Sequence, residues 1–496
     1  MNHTHVSGRA LLTALVICLF VSGFAFATGA REEAGMRGEL SIAVWGQIEA
    51  DPNHPVYSVH ELLQEWNGMH PDLRLTYEYN GGQTVTDRFT WIRTRMLSRT
   101  LPDVVMIYFP SDDFYDRDLL YDLAPELDKP NPYSTNAAWR DDFPQEAQVV
   151  ADHMQPDGSL YVAGFTQSGN VGVTSFIYNQ DIFDEVGVSV PRTWTEFLDI
   201  QAKIKAAGYI PFHQPTAGPL GWLVDWPLWV LKWQLLEDVA AEADINPPHD
   251  QISQYELVRA YKRGIFTPND PRYQEAWRLL KEWSQYWQEG FLAPPQGDPF
   301  VEGRAAIQHM MTLWIPQIAA NPNVTFDWGT FYQPQLTRES TRYATGATPR
   351  RVGNSGAGAS GSVFFMIPQT TVQRGRLAPS LDLLHFLTAP PQLDYWCDNQ
   401  TIPCFDPGTS VEDVYPDPVM QRQMAGFFTP SAFQNGVLNL SFGHASQDTG
   451  TQVRKLVQEY LGDAITLEAA MTELDSILRV AYDELIASNP DWVIDW

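Results

Sequence analysis

Three runs of the chain finish on an aromatic side chain with a polar one close behind. "LSIAVW" ends on Trp45 with Gln47 two residues on, "LRLTYEY" ends on Tyr79 with Asn80 next, and "PDVVMIY" ends on Tyr108 with Asp112 and Asp113 just beyond. Flat rings beside amides and carboxylates equip a surface for one kind of recognition. The rings present a face to the apolar C–H side of a sugar, and the amides and acids hydrogen-bond its rim of hydroxyls. An anionic ligand would require arginine or a glycine-rich helix start instead. The basic pair Arg350-Arg351 reads as part of a solvated loop. A ring at a strand end also serves as a lid on the core, so both readings of these ends stand.

Motifs for bond-breaking are missing. The chain has no P-loop, no His-Glu-x-x-His and no Gly-x-Ser-x-Gly, and its 11 histidines are scattered. "GAGASG" (residues 356–361) matches the dinucleotide pattern by letter, but a loop precedes it and the strand-like "SVFFMIP" follows, where a phosphate cradle must open a helix. A glycosidase would need two carboxylates about 5 to 10 Å apart across a bond. Asp112-Asp113 read instead as a solvated turn. No catalytic residue, metal ligand or cofactor site is assigned.

The elements that must carry the three aromatic ends follow from periodicity. Between the strand-like runs lie segments with apolar residues at helical spacing: Val59, Leu62, Leu63 and Trp66, then Phe89, Ile92 and Met96. Strand, helix, strand, helix, strand is a doubly wound α/β pattern, whose ligands lie beyond the carboxyl ends of the strands. A second α/β unit starts at "FIYNQDIFDEVGVSVPRTWTEF", where Thr193 with Glu196 forms a capping box. Trp277, Trp283 and Trp287 read as core. "FVEGRAAIQHMMTLW" reads as a short helix and then a strand ending in Trp314. Long helical segments close the chain.

Composition bounds the setting. At 496 residues the chain exceeds one ordinary domain. The apolar run from Ala10 to Ala27 ends small-x-small, which suits a cleaved export signal over residues 1–27 better than a retained anchor. Ile17 before Cys18 argues against lipidation, so a soluble periplasmic product is expected. The mature chain keeps Cys397 and Cys404, which read as a local disulfide or as two buried thiols. With 60 Asp+Glu against 32 Lys+Arg, nucleic acid and anionic lipid would repel the surface.

"DGSLYVAGF", "FIYNQDIFDEVGVSVPRTWTEF", "FVEGRAAIQHMMTLW", "APSLDLLHFLTAP" and "GDAITLEAAMTELDSIL" occur in an order and spacing that resemble the family 1 extracellular solute-binding proteins. These are sugar-binding receptors of ABC importers, and maltose-binding protein is among them. The resemblance covers roughly Leu40 to Leu485. It implies an α/β, two-lobed periplasmic binding protein fold, a flytrap in which each lobe is a doubly wound sheet flanked by helices and the ligand cleft lies between them. Lobe 1 would comprise 38–171 plus 361–405, and lobe 2 would comprise 172–360 plus 406–496 with the C-terminal helices. The resemblance places Asn170 and Gly361 at hinge crossings and Trp222, Trp226 and Trp314 on the second lobe's side of the cleft, facing Trp45, Gln47, Tyr79, Asn80, Tyr108 and Asp112. A carbohydrate ligand and membrane permease subunits would be the partners, of a monomer. Two departures stand out: no acid near Gly172, and extra length around Pro130 to Gln155 and Pro334 to Ser355. A secreted carbohydrate-active enzyme and a sensor subunit docking on a membrane receptor are the alternatives.

Overall fold

A computed structural model describes residues 36–44, 57–79, 85–107, 118–142, 158–165, 174–245, 252, 254–294, 296–311, 315–349, 363–398, 410–426, 447–490 and 492. Among these residues nine strands run in chain order: β1 (Gly38–Val44), β2 (Leu73–Tyr79), β3 (Val104–Ile107), β4 (Ala163–Phe165), β5 (Thr174–Asn179), β6 (Ile210–His213), β7 (Ala305–Met311), β8 (Trp328–Phe331) and β9 (Val363–Met366). The helices are α1 (Tyr57–Met69), α2 (Val85–Leu97), α3 (Gln180–Val186), α4 (Trp194–Ala206), α5 (Asp225–Ala243), α6 (Gln254–Lys262), α7 (Pro271–Ser284), α8 (Ile315–Ala319), α9 (Gln369–Gln373), α10 (Leu377–Leu387), α11 (Pro390–Asp398), α12 (Val411–Val414), α13 (Pro418–Met424), α14 (Gln447–Leu461) and α15 (Leu467–Ser488).

The strands form two sheets, ordered β2-β1-β3-β9-β4 and β6-β7-β5-β8. In the first, β1, β2 and β3 are parallel, with Val44 level with Tyr79. β9 runs against β3, and β4 runs against β9. Val44, Tyr79, Ile107, Phe165 and the first residue of β9 therefore share one edge. In the second sheet β6 and β7 are parallel, while β5 opposes both β7 and β8. His213, Met311, Phe331 and the start of β5 thus share an edge there. The chain passes from Phe165 at the first of these edges to Thr174 at the second, and returns to the first at Val363. The first passage reaches at most about 30 Å even fully extended.

Each sheet has its own core. Trp66, Ile92, Met106, Phe365 and Leu383 are among the buried residues around the first, and Phe176, Phe197, Phe212, Trp277 and Trp283 around the second. Trp277, Trp283 and Trp287 are core residues, as their spacing implies. Trp283 Nε1 donates to Gln201 Oε1 at 3.0 Å, so the amide on α4 is buried with a partner. The capping box forms as expected: Glu196 N donates to Thr193 Oγ1 at 3.3 Å and Thr193 N to Glu196 Oε2 at 3.3 Å. Asn179 caps α3 by accepting from Ile182 N at 3.1 Å.

One local expectation is corrected. The segment from Phe300 is a series of turns leading into β7, where a short helix was expected. The Asp298 carboxylate takes the Phe300 and Val301 N–H groups at 2.9 and 3.2 Å, and Gly303 sits at φ +70°, a left-handed position that ends helical winding. Both sheets are also mixed: β9 runs against β3 and β4 in the first, and β5 runs against β7 and β8 in the second. Among the described residues no helix is long and apolar enough to cross a membrane.

Candidate ligand-binding site

Polar groups at the two ends of the first sheet have different roles. At its amino edge Asp103 accepts from Ser41 N and Ser41 Oγ, both at 3.0 Å, and pairs with Arg374 at 3.0 Å. That carboxylate is spent on holding strands together. At the carboxyl edge Tyr79 ends β2 half-buried, packed against the sheet's core. Trp45, Gln47, Asn80, Tyr108 and Asp112 belong to this edge by sequence and lie outside the described residues. So do Asn170, Trp314 and Gly361, and Cys404 of the cysteine pair.

The carboxyl edge of the second sheet is described in more detail. After His213 the chain enters a loop held by a two-way clasp: Gln214 N donates to Gln288 Oε1 at 2.9 Å, and Gln288 Nε2 donates to Gln214 O at 3.0 Å. The Gln214 side chain donates to Pro215 O at 3.0 Å, leaving its oxygen to accept from His309 Nδ1 at 2.9 Å. His309 is wholly buried, and that burial pushes its pKa down to about 3, so the ring is a neutral hydrogen-bonding group. Its ring centroid lies 6.4 Å from that of Trp226.

Beyond Thr216 a 3₁₀ turn over Gly218–Val224 leads into α5. Gly218 takes φ +72°, and a Cβ on Gly221 would lie 3.0 Å from Thr216 O, so both glycines are needed to wind the turn this tightly. The turn sets Trp222 edge-on to Trp226, with centroids 5.0 Å apart and planes at 64°. Leu223, Trp226 and Val230 form a small apolar cluster, and Trp222, Trp229 and Tyr332 pack against it half-buried. The two residues expected here are brought together, with unequal parts. Trp226, 5% exposed, is the floor, and Trp222 is the half-buried ring packed on it.

Sequence reasoning missed Tyr332 and Gln333. They follow β8 at the same edge, and Gln333 Nε2 donates to Pro227 O at 3.3 Å. The signal was present, since "TFYQ" is an apolar run ending in an aromatic and an amide, the same pattern as "YEYN". The loop after them is pinned onto α5: Leu336 N donates to Gln234 Oε1 at 2.7 Å, and Thr345 Oγ1 to Gln234 O at 3.1 Å.

Asp225, in the first turn of α5, is paired with Arg454, whose Nη2 donates to Oδ2 at 2.6 Å. Burial raises the Asp225 pKa, and the guanidinium opposes the rise. Lys232, two turns further along α5, is buried and pushed down to about 7. Among the described residues no group of three or more His, Cys, Asp or Glu side chains could hold a metal ion. The arrangement offers half-buried aromatic rings at a sheet edge, braced by buried amides whose hydrogen bonds are made within the protein.

A family model described as "Bacterial extracellular solute-binding protein" matches residues 52–391. A multiple sugar-binding protein of Streptococcus mutans is 30% identical over 142 residues, 29% of this chain and 30% of that protein. A lactose-binding protein of Rhizobium radiobacter is 25% identical over 177 residues, 35% of this chain and 37% of that protein. The chain thus matches about a third of the length of these two relatives. A solved chitin oligosaccharide binding protein superposes with TM-score 0.64 at 18% identity, over 90% of this chain and 100% of that one, a likeness of fold.

Proposed function

Because the chain belongs to the bacterial extracellular solute-binding proteins, we propose that it is the extracytoplasmic receptor of an ABC importer. It binds a mono- or oligosaccharide between two lobes and delivers it to the membrane permease. Its two-sheet α/β architecture is that of the two-lobed members. The observation that carries the carbohydrate reading is the Trp222–Trp226–Tyr332 corner, in which half-buried Trp222 and Tyr332 pack on buried Trp226 at a sheet edge. Rings that present a face to C–H groups, at an edge with no cluster of basic residues among those described, suit a neutral polyol better than an anion. The names of the two partial relatives point the same way.

On this reading lobe 1 comprises 38–171 plus 361–405, and lobe 2 comprises 172–360 plus 406–496, after a cleaved leader of 1–27 that sends the protein to the periplasm. The passage from Phe165 to Thr174 joins the carboxyl edges of the two sheets, which supports a cleft between those edges. Trp45, Gln47, Tyr79, Asn80, Tyr108 and Asp112 complete the cleft from lobe 1. Asn170 and Gly361 mark the crossings, and Trp222, Trp226 and Trp314 serve from lobe 2. The protein performs no bond chemistry of its own.

The test is a thermal-shift screen with lactose, maltotriose, xylotriose and triacetylchitotriose, followed by calorimetric titration of any hit. Binding to the native state alone raises the melting temperature by mass action. A shift with one sugar class, and no product by mass spectrometry after hours of incubation, is expected. Product formation would make the protein an enzyme. No shift with any sugar, alongside a shift with glycerol phosphate or a peptide, would overturn the carbohydrate reading.

A further inference from the structure

α14 grips the aromatic corner at the two ends of the turn that makes it. Arg454 donates from Nε and Nη2 to Asp225 Oδ2 at 3.1 and 2.6 Å. One turn further along, Gln458 Nε2 donates to Thr216 O. Thr216 and Asp225 bracket Gly218–Val224, so α14 clamps both feet of the segment that carries Trp222. The segment is a 3₁₀ turn with two glycines, whose hydrogen-bond geometry is poorer than that of an α-helix, so the contacts at its two feet weigh more in fixing its course.

The clamp itself is firmly seated. Leu456, Val457 and Leu461 of α14 are buried in the second lobe's core, and its last turn receives Lys281 Nζ of α7 on Tyr460 O at 2.9 Å and Leu461 O at 2.6 Å. Asp225 also stands in the first turn of α5, where the helix dipole favours its negative charge. The cation opposite it comes from Arg454, with Lys232 the next nearest on its own helix. A two-donor guanidinium fixes direction as well as distance, which a single ammonium does not.

We infer that Arg454, assisted by Gln458, is a positioning residue for ligand binding: it holds Asp225, and through it sets the angle at which Trp222 and Trp226 meet the ligand. The inference rests on the reading of this corner as part of a sugar site. A displacement of order 1 Å at a recognition group is enough to weaken an interaction about tenfold or more.

The test compares wild type with Arg454→Met, Arg454→Lys and Gln458→Leu, using whichever of lactose, maltotriose, xylotriose and triacetylchitotriose wild type binds most tightly. Affinity and dissociation rate are measured at 15 °C, with near-UV circular dichroism to show each variant folded. Arg454→Met is expected to lose at least about tenfold in affinity, mainly through faster dissociation, with Arg454→Lys recovering part of it. Gln458→Leu, which leaves the ion pair intact, is expected to lose less and serves if Arg454→Met fails to fold. Variants that melt lower yet bind with wild-type affinity while folded would make the pair purely structural and overturn the inference. Wild type binding none of the four sugars would overturn the underlying reading, and the inference with it.

Discussion

Lys232 gives the most quantitative prediction. Its side chain is 3% exposed on α5, with Nζ 5.6 Å from the Tyr273 ring centroid and the Asp225 carboxylate partly offsetting the cost of burial. Burial dominates and lowers its pKa from 10.5 to about 7. Between those two values the unfolded chain binds a proton that the folded protein does not. Stability must therefore rise with pH across that window, be lowest from this group below about pH 7, and level off above about 10.5. The full interval corresponds to about 5 kcal/mol as an upper bound, because water penetration and relaxation reduce the cost of burying an ammonium.

The assay is urea unfolding of wild type and Lys232→Met at pH 6.5, 7.5, 8.5 and 9.5. Methionine keeps the unbranched shape and removes the charge, and replacing a buried charge with an apolar group of similar volume is commonly stabilising. At pH 6.5 the variant should be more stable by about 2 to 4 kcal/mol, and the gap should narrow by about 1 kcal/mol or more per pH unit above 7. Parallel curves for the two proteins would refute the argument, because they would mean that Lys232 keeps its proton when folded. A variant less stable at every pH would mean that the ammonium's contacts outweigh its desolvation.

Four further outcomes are expected. Cys397 and Cys404 are oxidised to each other after export, and closing so short a loop contributes about 2 kcal/mol; two alkylated cysteines by intact mass without reductant would end the idea. Small-angle scattering should give a smaller radius of gyration with the best sugar bound if, as proposed, the lobes close about crossings near Val171 and Gly361; an unchanged radius would favour a rigid binder. With 60 acidic residues against 32 basic ones, the melting temperature should rise as sodium chloride goes from low to about 1 M, because salt screens self-repulsion; a flat or falling trend would show that attraction within the fold outweighs the net charge. Trp314→Ala should cost little stability but about 1 to 3 kcal/mol of binding if the ring is a platform; a loss of about 3 to 5 kcal/mol in stability with normal binding would make it core.

How much of this was legible in the sequence follows the physics of each element. β3 was readable because a strand buried on both faces must be apolar throughout, as "VVMI" is, and β2 because the alternation in "LRLTYEY" fits a strand with one face turned inward. α4 was readable at its first residue, because Thr193 and Glu196 satisfy each other's backbone donors regardless of what surrounds them. The turns at Asp298 were not, because an aspartate capping two N–H groups looks the same in sequence whether or not a helix follows.

The candidate site divides along the same line. An aromatic after a strand can be found by rule, and that rule, applied evenly, reaches Tyr332 as well as Tyr79. Whether such a ring faces ligand or core depends on groups far away in the chain. Trp222 and Trp226 are four residues apart, yet one is half-buried and the other is floor. What separates them is their surroundings: His309 on β7 lies beneath Trp226, and Arg454, 229 residues beyond Asp225, anchors the start of α5. Such contacts leave no trace in local periodicity, because nothing in a run of residues encodes which distant helix will pack against it. Changing Arg454, in a stretch that reads as an ordinary amphipathic helix, is therefore the sharper probe of how this site is built.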